Sequence, residues 1–412
     1  MVRLMKNPRE TNSGPLSGYR IIEFCHFIAG PSAVALLADQ GADVVKVEPI
    51  TGDLMRTVAP FRNGLGASFI TWNRNKSSVS IDMTTSEGQQ VAHRLVGDAD
   101  VAVHNYRPGV VERIGIDEAT LRKIKPDLIY VVINGYGEDG PYAHRPGFDP
   151  MIQALSGLGR SQARLEDNPR FMVRSSIADK LSGLVSAQAV TAALCERERT
   201  GKGAKVEVAM LDLAIAFGWG DIMSRETFVG HIPPSDTLLA GDYLQDTLDG
   251  DISVMPNNNK QLEALARLVG HEEWIDDPRV NTPTARTQNL AVYCAMMKNV
   301  FRSKTTAEWC ELLEEAGVPY APVLSPPEVV ADQHVKFAKL VVESDHPVAG
   351  RIRECRAAAR FNGRELPIYR HAPAIGEHTV EILQDAGFSQ DEIESLAANN
   401  VIRTLAACEG VS

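Results

Sequence analysis

The sequence has few of the features that mark membrane, secreted or metal-binding proteins. Its longest weakly polar stretch, residues 181–195, is interrupted by Ser182, Ser186 and Gln188, and a membrane helix needs about 20 apolar residues. The first residues contain no apolar signal core, so we expect a polar N-terminal arm on a cytoplasmic protein. Six cysteines, at positions 25, 195, 294, 310, 355 and 408, show no paired spacing, which argues against a disulfide framework and a zinc site.

Positive charge and phosphate-binding glycines are also scarce. The formal net charge of -11 argues against nucleic acid as a bulk partner. The chain opens with a strand at 19–24, a helix at 32–40 and a strand at 43–48, but the first loop, HFIAGP, contains only one glycine, Gly30. Main-chain binding of a dinucleotide needs several glycines at this place. Any nucleotide-like ligand is therefore expected to be held by other groups.

The length and the order of the predicted elements favour two domains and an α/β fold. The chain has 412 residues, of which 44% are hydrophobic and 23% charged, as in globular proteins with a large core. Over the first half, apolar runs alternate with helical segments, which predicts a doubly wound parallel sheet. Strands are predicted at 19–24, 43–48, 78–82, 101–104, 128–133 and 205–209, with helices at 32–40, 85–96, 113–124 and 179–198.

The pattern changes near residue 228 and predicts a smaller second domain. Two strands are expected around 239–254, followed by helices near 261–269, 290–301 and 307–316. A polar strand near Arg351 and a helix at 377–386 follow. This last segment is expected to pack back on the first domain.

Two aspartates are the candidates for chemistry. Asp179 lies at the start of the helix of small residues, where a carboxylate also stabilises the helix end without any catalytic role. The functional alternative is a nucleophile, held ionised by the helix start, that attacks an activated acyl carbon while nearby glycines let the main chain approach the oxyanion. Asp149, near the end of the glycine-rich loop 135–150, is either a loop cap or a group that orients the nucleophile.

Basic residues occur near several predicted strand ends. They are Arg56, Arg74, Lys76, Arg107, Arg113 and Arg145. One such residue is usually a solvated surface charge, whereas several on the loops at one sheet edge suggest phosphates bound by side chains. The adjacent pair Cys25 and His26 is interpreted as structural, because neighbours on a strand point to opposite faces.

Several spaced motifs resemble the class III CoA-transferases, a family that also contains the alpha-methylacyl-CoA racemases. They are IAGP, GADVVKVE, NYRPGVVERIG, GYGEDGPYAHRPGFD, ADKLSG and RTGKGAKVEVAMLD. The resemblance covers nearly the whole chain. It implies a large Rossmann-like CoA-binding domain from residues 1–225 and 335–412, a small α+β domain from 226–334, and an interlocked homodimer.

The resemblance also implies roles for particular residues. Asp179 matches the family's nucleophile and Asp149 its supporting acid. The implied CoA contacts are Phe27, Ile28, Ile81, Met83, Asn105, Arg107, Arg113 and Arg145. The substrates would be a CoA thioester and a free carboxylic acid, with no tightly bound cofactor and no metal, and neither a membrane nor a nucleic acid as a partner.

Two departures from the family's patterns bear on specificity. The residue before Asp149 is Phe148, where the racemases have a histidine that acts as an acid or base, and phenylalanine cannot transfer a proton. Ile28 stands where formyl-CoA transferases have a glutamine, and their glycine-rich flap is not recognisable in residues 228–243. The sequence therefore favours transfer of CoA between an acyl-CoA and an acid. A racemase or epimerase and a non-catalytic CoA-binding subunit are the alternatives.

Overall fold

The centre of the fold is a seven-stranded sheet. A computed structural model describes residues 13–161, 172–231 and 243–405. The strands of this sheet are β1 (Arg20–Phe24), β2 (Asp43–Glu48), β3 (Lys76–Ile81), β4 (Val101–His104), β5 (Ile129–Asn134), β6 (Lys205–Ala209) and β7 (Ile402–Arg403). Their spatial order is β7-β3-β2-β1-β4-β5-β6, and all neighbours are parallel except β7 on β3. The order of the first six strands is that of Rossmann folds, which confirms the predicted α/β class with a mainly parallel sheet.

Apolar side chains lie on both faces of the central strands, because helices cover both faces of the sheet. Ile22 and Val45 belong to one buried cluster, and their neighbours Ile21 and Val44 belong to another. Parallel sheets with two covered faces read as continuous apolar runs rather than as alternating patterns. The helices of this part of the chain are Ala29–Asp39, Ala67–Asn73, Ser86–Val96, Val110–Arg113, Glu118–Ile124, Asp149–Leu155, Leu158–Ser161, Ile177–Thr200, Met210–Gly218, Thr379–Asp385 and Gln390–Ala398, with a 3-10 turn at Leu54–Thr57.

Two helices on one face of the sheet pack directly against one another. The Ala29–Asp39 and Ile177–Thr200 helices contact one another along much of their length. A Cβ atom added at Gly183 would overlap the Oγ of Ser32. The glycine therefore permits a close approach of the two helices that begin beside the carboxyl end of β1 and near Asp149.

The chain divides into two compact units. One comprises Met1–Ile222 and Lys339–Ser412, and the other comprises Met223–Ala338. The C-terminal part adds β7 and the last two helices to the first unit. It also adds a hairpin of Val341–His346 with Gly350–Cys355 and a shorter one of Arg360–Phe361 with Arg364–Glu365. A further short hairpin, Phe61–Arg62 with Leu65–Gly66, belongs to the same unit.

The second unit has a core of its own. Ile252, Leu265, Trp274, Phe301 and Trp309 are buried together there. Its antiparallel sheet has the order Tyr320–Pro322, Asp251–Val254, Leu244–Asp246. Its helices are Asn259–Val269, Pro283–Gln288, Leu290–Met297, Thr306–Ala316, Pro326–Ala331 and Gln333–Phe337, with 3-10 turns at Ser224–Thr227, Glu272–Trp274 and Val300–Ser303.

Some predicted elements differ from the structure. The single helix expected at 113–124 is two helices, because Gly115 has a φ of +69° and Asp117 caps a new helix by accepting the N–H of Thr120. The strand pair expected around 239–254 is described from Leu244 onwards, and residues 239–242 lie outside the described part of the chain. The third strand of that sheet and the helix Gln390–Ala398 were not predicted.

Candidate functional site

Two carboxylates meet at the N-terminus of the Ile177–Thr200 helix. Asp149 is buried at the start of its own helix, and its Oδ2 accepts hydrogen bonds from the main-chain N–H groups of Ala178 (2.7 Å) and Asp179 (3.2 Å). The first N–H groups of a helix have no partner within the helix and need an acceptor from elsewhere. Asp149 therefore caps the helix that carries Asp179, from a position about 30 residues earlier in the chain.

Gln153 holds this arrangement together. Its Nε2 donates to Asp149 Oδ1 (2.5 Å) and to the main-chain oxygens of Val173 (3.3 Å) and Ser175 (3.2 Å), and its Oε1 accepts the N–H of Val173 (2.9 Å). The side chain is buried. Asp149 and the segment that leads into the Asp179 helix are thus fixed by the same amide. Sequence reasoning missed Gln153, although its spacing of four from Asp149 on a helix is a usable signal.

Asp179 lies in the first helical turn and is half-buried. Burial, together with the nearby Asp149 carboxylate, raises the pKa of Asp179 to about 7, against the opposing effect of Lys180. The expectation that the helix start keeps Asp179 ionised is wrong, because the N–H groups of that turn are donated to Asp149. Asp179 is consequently a carboxylate of near-neutral pKa, basic enough to act as a nucleophile or a proton acceptor.

The loop after β1 lies beside the paired acids. Phe27 has a φ of +64°, in the left-handed region that residues with a side chain rarely adopt. Its N–H donates to Asp53 Oδ1 (3.3 Å), and its ring meets the ring of Phe148 edge-on with the centroids 5.9 Å apart. Phe148 directly precedes Asp149. The structure therefore brings Phe27, one of the predicted CoA contacts, next to the segment that caps the Asp179 helix.

Asn105 anchors the same loop from β4. Its Oδ1 accepts the N–H of His26 (3.0 Å), and its Nδ2 donates to the oxygen of His26 (2.7 Å). Gly30 is required close by, since a Cβ atom there would overlap the side chain of Cys25. Cys25 is buried, and its pKa is raised well above the usual value by desolvation. The thiol is thus an inert packing group, as interpreted from the sequence.

A network of buried charged side chains contacts the loop after β1. Lys46 Nζ lies 3.0 Å from Asp53 Oδ2 and donates to the oxygen of Cys25 (2.8 Å). Glu23 lies between two lysines, 2.7 Å from Lys76 Nζ and 3.4 Å from Lys46 Nζ. Because Asp53 also accepts the N–H of Phe27, the conformation of the loop is tied to these charges. A lysine between the valines of the strand DVVKVE was the available signal for Lys46.

The basic residues near the strand ends fall into two groups. Three of them are structural, which corrects the interpretation that they bind phosphate. Arg56 makes two hydrogen bonds to Glu48 (2.9 and 2.6 Å), Arg74 is paired with Asp39, and Lys76 with Glu23, and all are buried. Arg107 and Arg113 are exposed, and within the described residues their side chains have no ion pair. Arg145 is exposed and lies over the ring of Tyr142, 3.8 Å from its centroid.

The remaining predicted CoA contacts differ in accessibility. Ile28 is half-buried at the start of the Ala29–Asp39 helix. Ile81 is fully buried and Met83 nearly so, both within the core cluster on one face of the sheet. Their side chains pack against protein, so these two residues offer a ligand only main-chain groups. Among the described residues, no cluster of His, Cys, Asp or Glu has the arrangement of a metal site, and no helix is long and apolar enough to span a membrane.

Comparison with known proteins identifies the family. The model for CoA-transferase family III matches residues 16–379. The chain belongs to CoA-transferase family III. It is 32% identical to the mouse succinyl-CoA:glutarate CoA-transferase over 94% of this chain and 90% of the relative. It is 30% identical to a formyl-CoA:oxalate CoA-transferase of Streptomyces avermitilis over 94% and 99%.

Solved structures of this family share the fold. A crystal structure of a CAIB/BAIF family protein from Brucella suis superposes with a TM-score of 0.78 at 30% identity, covering 91% of this chain and 100% of the other. A Mycobacterium tuberculosis protein in an orthorhombic crystal form gives a TM-score of 0.77 at 31% identity, over 90% and 99%. The class III CoA-transferase is therefore similar to its relatives over nearly the full length of each chain.

Proposed function

We propose that this class III enzyme moves CoA from an acyl-CoA donor to a free carboxylic acid through covalent intermediates on Asp179. The observation that carries the proposal is the half-buried carboxylate of near-neutral pKa at a helix start capped by Asp149. A carboxylate that is more basic than usual is also more nucleophilic, provided that it is ionised when the substrate binds. The half-exposed Phe148 beside it leaves no imidazole at the position expected for a racemase.

In the first half-reaction, Asp179 attacks the thioester carbonyl of the donor. The carbon–sulfur bond breaks, and a mixed anhydride and the CoA thiolate are formed. The thiolate then attacks the aspartyl carbonyl, the donor acid leaves as a carboxylate, and the aspartyl group becomes a CoA thioester. The energy of the thioester is retained throughout, so no other energy source is needed.

The second half-reaction reverses these steps with a different acid. The acceptor carboxylate attacks the aspartyl thioester and expels CoA thiolate, which gives a second mixed anhydride. The thiolate attacks the acyl carbon of the acceptor, and the product acyl-CoA and the Asp179 carboxylate are released. Asp149 acts as a positioning residue, because it holds the first turn of the helix on which the Asp179 carboxylate is carried.

The loop after β1 and the exposed arginines are the proposed binding groups for CoA. Phe27 and Ile28 would contact the part of CoA near the thioester, while Arg107, Arg113 and Arg145 would pair with its phosphates. Asn105 would contribute by fixing the loop through His26. The main-chain groups of Ile81 and Met83 are the remaining proposed contacts with CoA. Binding energy from these remote contacts can be used to align the reacting groups.

The decisive experiment is intact-mass spectrometry with a panel of acyl-CoAs, followed by trapping with hydroxylamine or borohydride and peptide mapping. We expect a modification confined to Asp179. Asp179→Ala should lose turnover by at least about a thousandfold and still bind CoA. Glu226→Gln, a change at an exposed acid in the Ser224–Thr227 turn, serves as the control and should retain both properties.

Three results would contradict the proposal. Full transferase activity in Asp179→Ala would exclude a covalent role for this carboxylate. Exchange of the α-proton of an acyl-CoA with deuterated water, without transfer to any acid, would instead support a racemase or epimerase. Tight CoA binding with neither reaction would support a non-catalytic subunit.

A homodimer is part of the proposal. Large apolar side chains are exposed on three helices of the first unit, at Met151, Leu155, Leu184 and Phe217, with Trp219 directly after the last of these helices. Large exposed apolar patches are typical of protein interfaces. Light scattering should therefore give twice the chain mass of 44.9 kDa, and a stable monomer would argue against the interlocked architecture.

A further inference from the structure

Phe27 is held in an unfavourable main-chain conformation in the loop after β1. Its φ of +64° lies in the left-handed region, which bulky side chains rarely occupy. Such a conformation persists only where the surrounding structure holds it in place, and residues of this kind concentrate at functional sites. The groups that hold the main chain at Phe27 therefore bear on what the loop does.

The main chain around Phe27 is fixed by polar side chains from other parts of the first unit. Asn105 binds both the N–H (3.0 Å) and the oxygen (2.7 Å) of His26, the preceding residue. The N–H of Phe27 itself donates to Asp53 Oδ1 (3.3 Å). Asp53 thus supplies the acceptor at the one residue of the loop whose conformation is unfavourable.

Asp53 is itself held firmly. Its side chain is buried, its Oδ2 lies 3.0 Å from Lys46 Nζ, and its Oδ1 also accepts the N–H of Met55 (3.0 Å). The N–H of Asp53 donates to Glu48 Oε2 (3.1 Å). Burial opposes ionisation of Asp53, but Lys46 and the main-chain donors outweigh this effect and lower its pKa. Asp53 is therefore a charged acceptor, and hydrogen bonds to charged groups are stronger than those between neutral groups.

The conformation of Phe27 sets the direction of its neighbours. Its ring meets the ring of Phe148 edge-on with the centroids 5.9 Å apart, directly before Asp149. A change of φ at Phe27 from the left-handed region to an ordinary one would turn Phe27 and Ile28 relative to one another. The ring contact with Phe148 therefore depends in part on the hydrogen bond to Asp53.

We propose that Asp53 is a positioning residue for CoA transfer, which holds Phe27 in the left-handed conformation that binds CoA. The inference rests on the proposed contact of Phe27 with CoA and does not depend on covalent chemistry at Asp179. Asp53 is buried and acts through Phe27. Without its hydrogen bond the loop would populate other conformations, and the apparent affinity for CoA falls in proportion to the fraction that remains competent to bind.

Isothermal titration calorimetry of the full-length protein with CoA tests the proposal. Asp53→Ala should weaken CoA binding about tenfold, with kcat at saturating acyl-CoA changed less than about twofold. Asp53→Asn keeps an oxygen acceptor in the same place and should recover most of the lost affinity. Asp39→Ala is the matched control, because Asp39 is also buried and paired with Arg74 but lies at the far end of the helix that follows the loop. It should bind CoA as the wild type does.

A double-mutant cycle separates positioning from a general loss of stability. If Asp53 acts through Phe27, the variant with both Phe27→Ala and Asp53→Ala should bind CoA no more weakly than Phe27→Ala alone. Asp53→Ser, which lacks the charge but keeps a cap for the 3-10 turn, takes the place of Asp53→Ala in the cycle if the latter does not fold.

The outcomes that overturn the proposal differ from those that overturn the proposed function. Additive losses in the cycle, or wild-type affinity in Asp53→Ala while Phe27→Ala is weakened, would exclude positioning through Phe27. Wild-type affinity in Phe27→Ala would refute its contact with CoA and the positioning role with it. Neither result would affect the proposal of covalent transfer through Asp179.

Discussion

In the proposed mechanism Asp179 must be charged to attack a thioester, yet its surroundings favour the neutral acid. Burial and the Asp149 carboxylate both oppose ionisation. The helix N–H groups that would favour it are donated to Asp149 instead. Asp149 thus serves as the structural acceptor of the helix start, and Asp179 is left with a raised pKa. This division of roles between the two acids should affect the pH dependence of the reaction rate.

The acidic limb of the pH–rate profile should report the pKa of Asp179. Because attack needs the ionised form and the pKa is about 7, kcat/KM for the acyl-CoA should fall about tenfold per pH unit below 7. Asp149→Asn removes the second charge, so the apparent pKa of this limb should move down. A limb that stays near pH 7 in Asp149→Asn, measured on folded protein, would contradict the coupling between the two acids.

The same pKa predicts that removal of the charge stabilises the fold. The folded protein holds the Asp179 proton up to about pH 7, whereas an unfolded aspartate releases it near pH 4. Stability from this group is therefore lost as the pH rises between these two values. Asp179→Asn should be more stable than wild type at pH 8, by about 1–3 kcal/mol, and the gain should vanish at pH 4. Urea unfolding at both pH values measures the difference.

At the scale of elements, the position of Asp179 depends on how closely two helices pack. Gly183, one turn after Asp179, allows the Ile177–Thr200 helix to lie directly against Ser32 on the Ala29–Asp39 helix. The second helix starts at the loop that carries Phe27 and Ile28. The position of Asp179 relative to the loop therefore depends in part on this helix contact.

Gly183→Val should separate the two helices. The added side chain has no room beside Ser32, and overpacking of this kind costs about 1–3 kcal/mol. Thermal unfolding by circular dichroism should show the loss, and kcat should fall more than CoA affinity. Gly220→Val is the control, since a Cβ atom there has no heavy atom within 4 Å. Equal effects of the two changes would show that the helix contact does not matter.

Sequence reasoning succeeded for elements that carry their own signal. The strands Val101–His104 and Lys205–Ala209 have the predicted bounds, because a buried run or a preceding glycine turn marks each of them. It failed where a partner lies far along the chain. Strand β7 has two residues and exists only by pairing with β3. Arg74 looked like a free cation because its partner Asp39 lies on another element, 35 residues earlier.

The candidate site shows the same limit. The motif around Asp179 and the acid at Asp149 were recognisable, but their hydrogen-bonded arrangement was not, since Asp149 reaches the helix across the chain. The sequence interpretation of an Asp179 held ionised by the helix start consequently missed the burial and the Asp149 carboxylate, which raise its pKa to about 7. A carboxylate at a helix start is stabilised only when the N–H groups of that start are available to it.

At the scale of the whole molecule, one unit is continuous and the other is not. Met223–Ala338 has its own core, with Trp274, Phe301 and Trp309 buried together. The first unit needs residues from both ends of the chain, because Leu383 and Ile402 complete the cluster that covers one face of the main sheet. A fragment that contains the continuous unit should therefore fold by itself, whereas a fragment that contains only the N-terminal part of the first unit should not.

A fragment of residues 223–338 should melt cooperatively by circular dichroism, since its core is complete. A fragment of residues 1–222 should lack a cooperative transition, because the face of its sheet that Leu383 and Ile402 cover is exposed. Mixing it with a peptide of residues 339–412 is expected to restore structure. Cooperative melting of residues 1–222 alone would contradict this division of the core.

Because the first unit is discontinuous in sequence, its two parts are synthesised at different times. Strand β3 is synthesised early, but β7, its antiparallel neighbour, follows more than 300 residues later. Synthesis proceeds at about 5–20 residues per second. The main-chain groups of β3 that later pair with β7 therefore stay unpaired for at least about 15 seconds. The inserted unit is finished in that interval. A newly made chain is thus expected to need protection of the β3 edge by a chaperone until its last residues emerge.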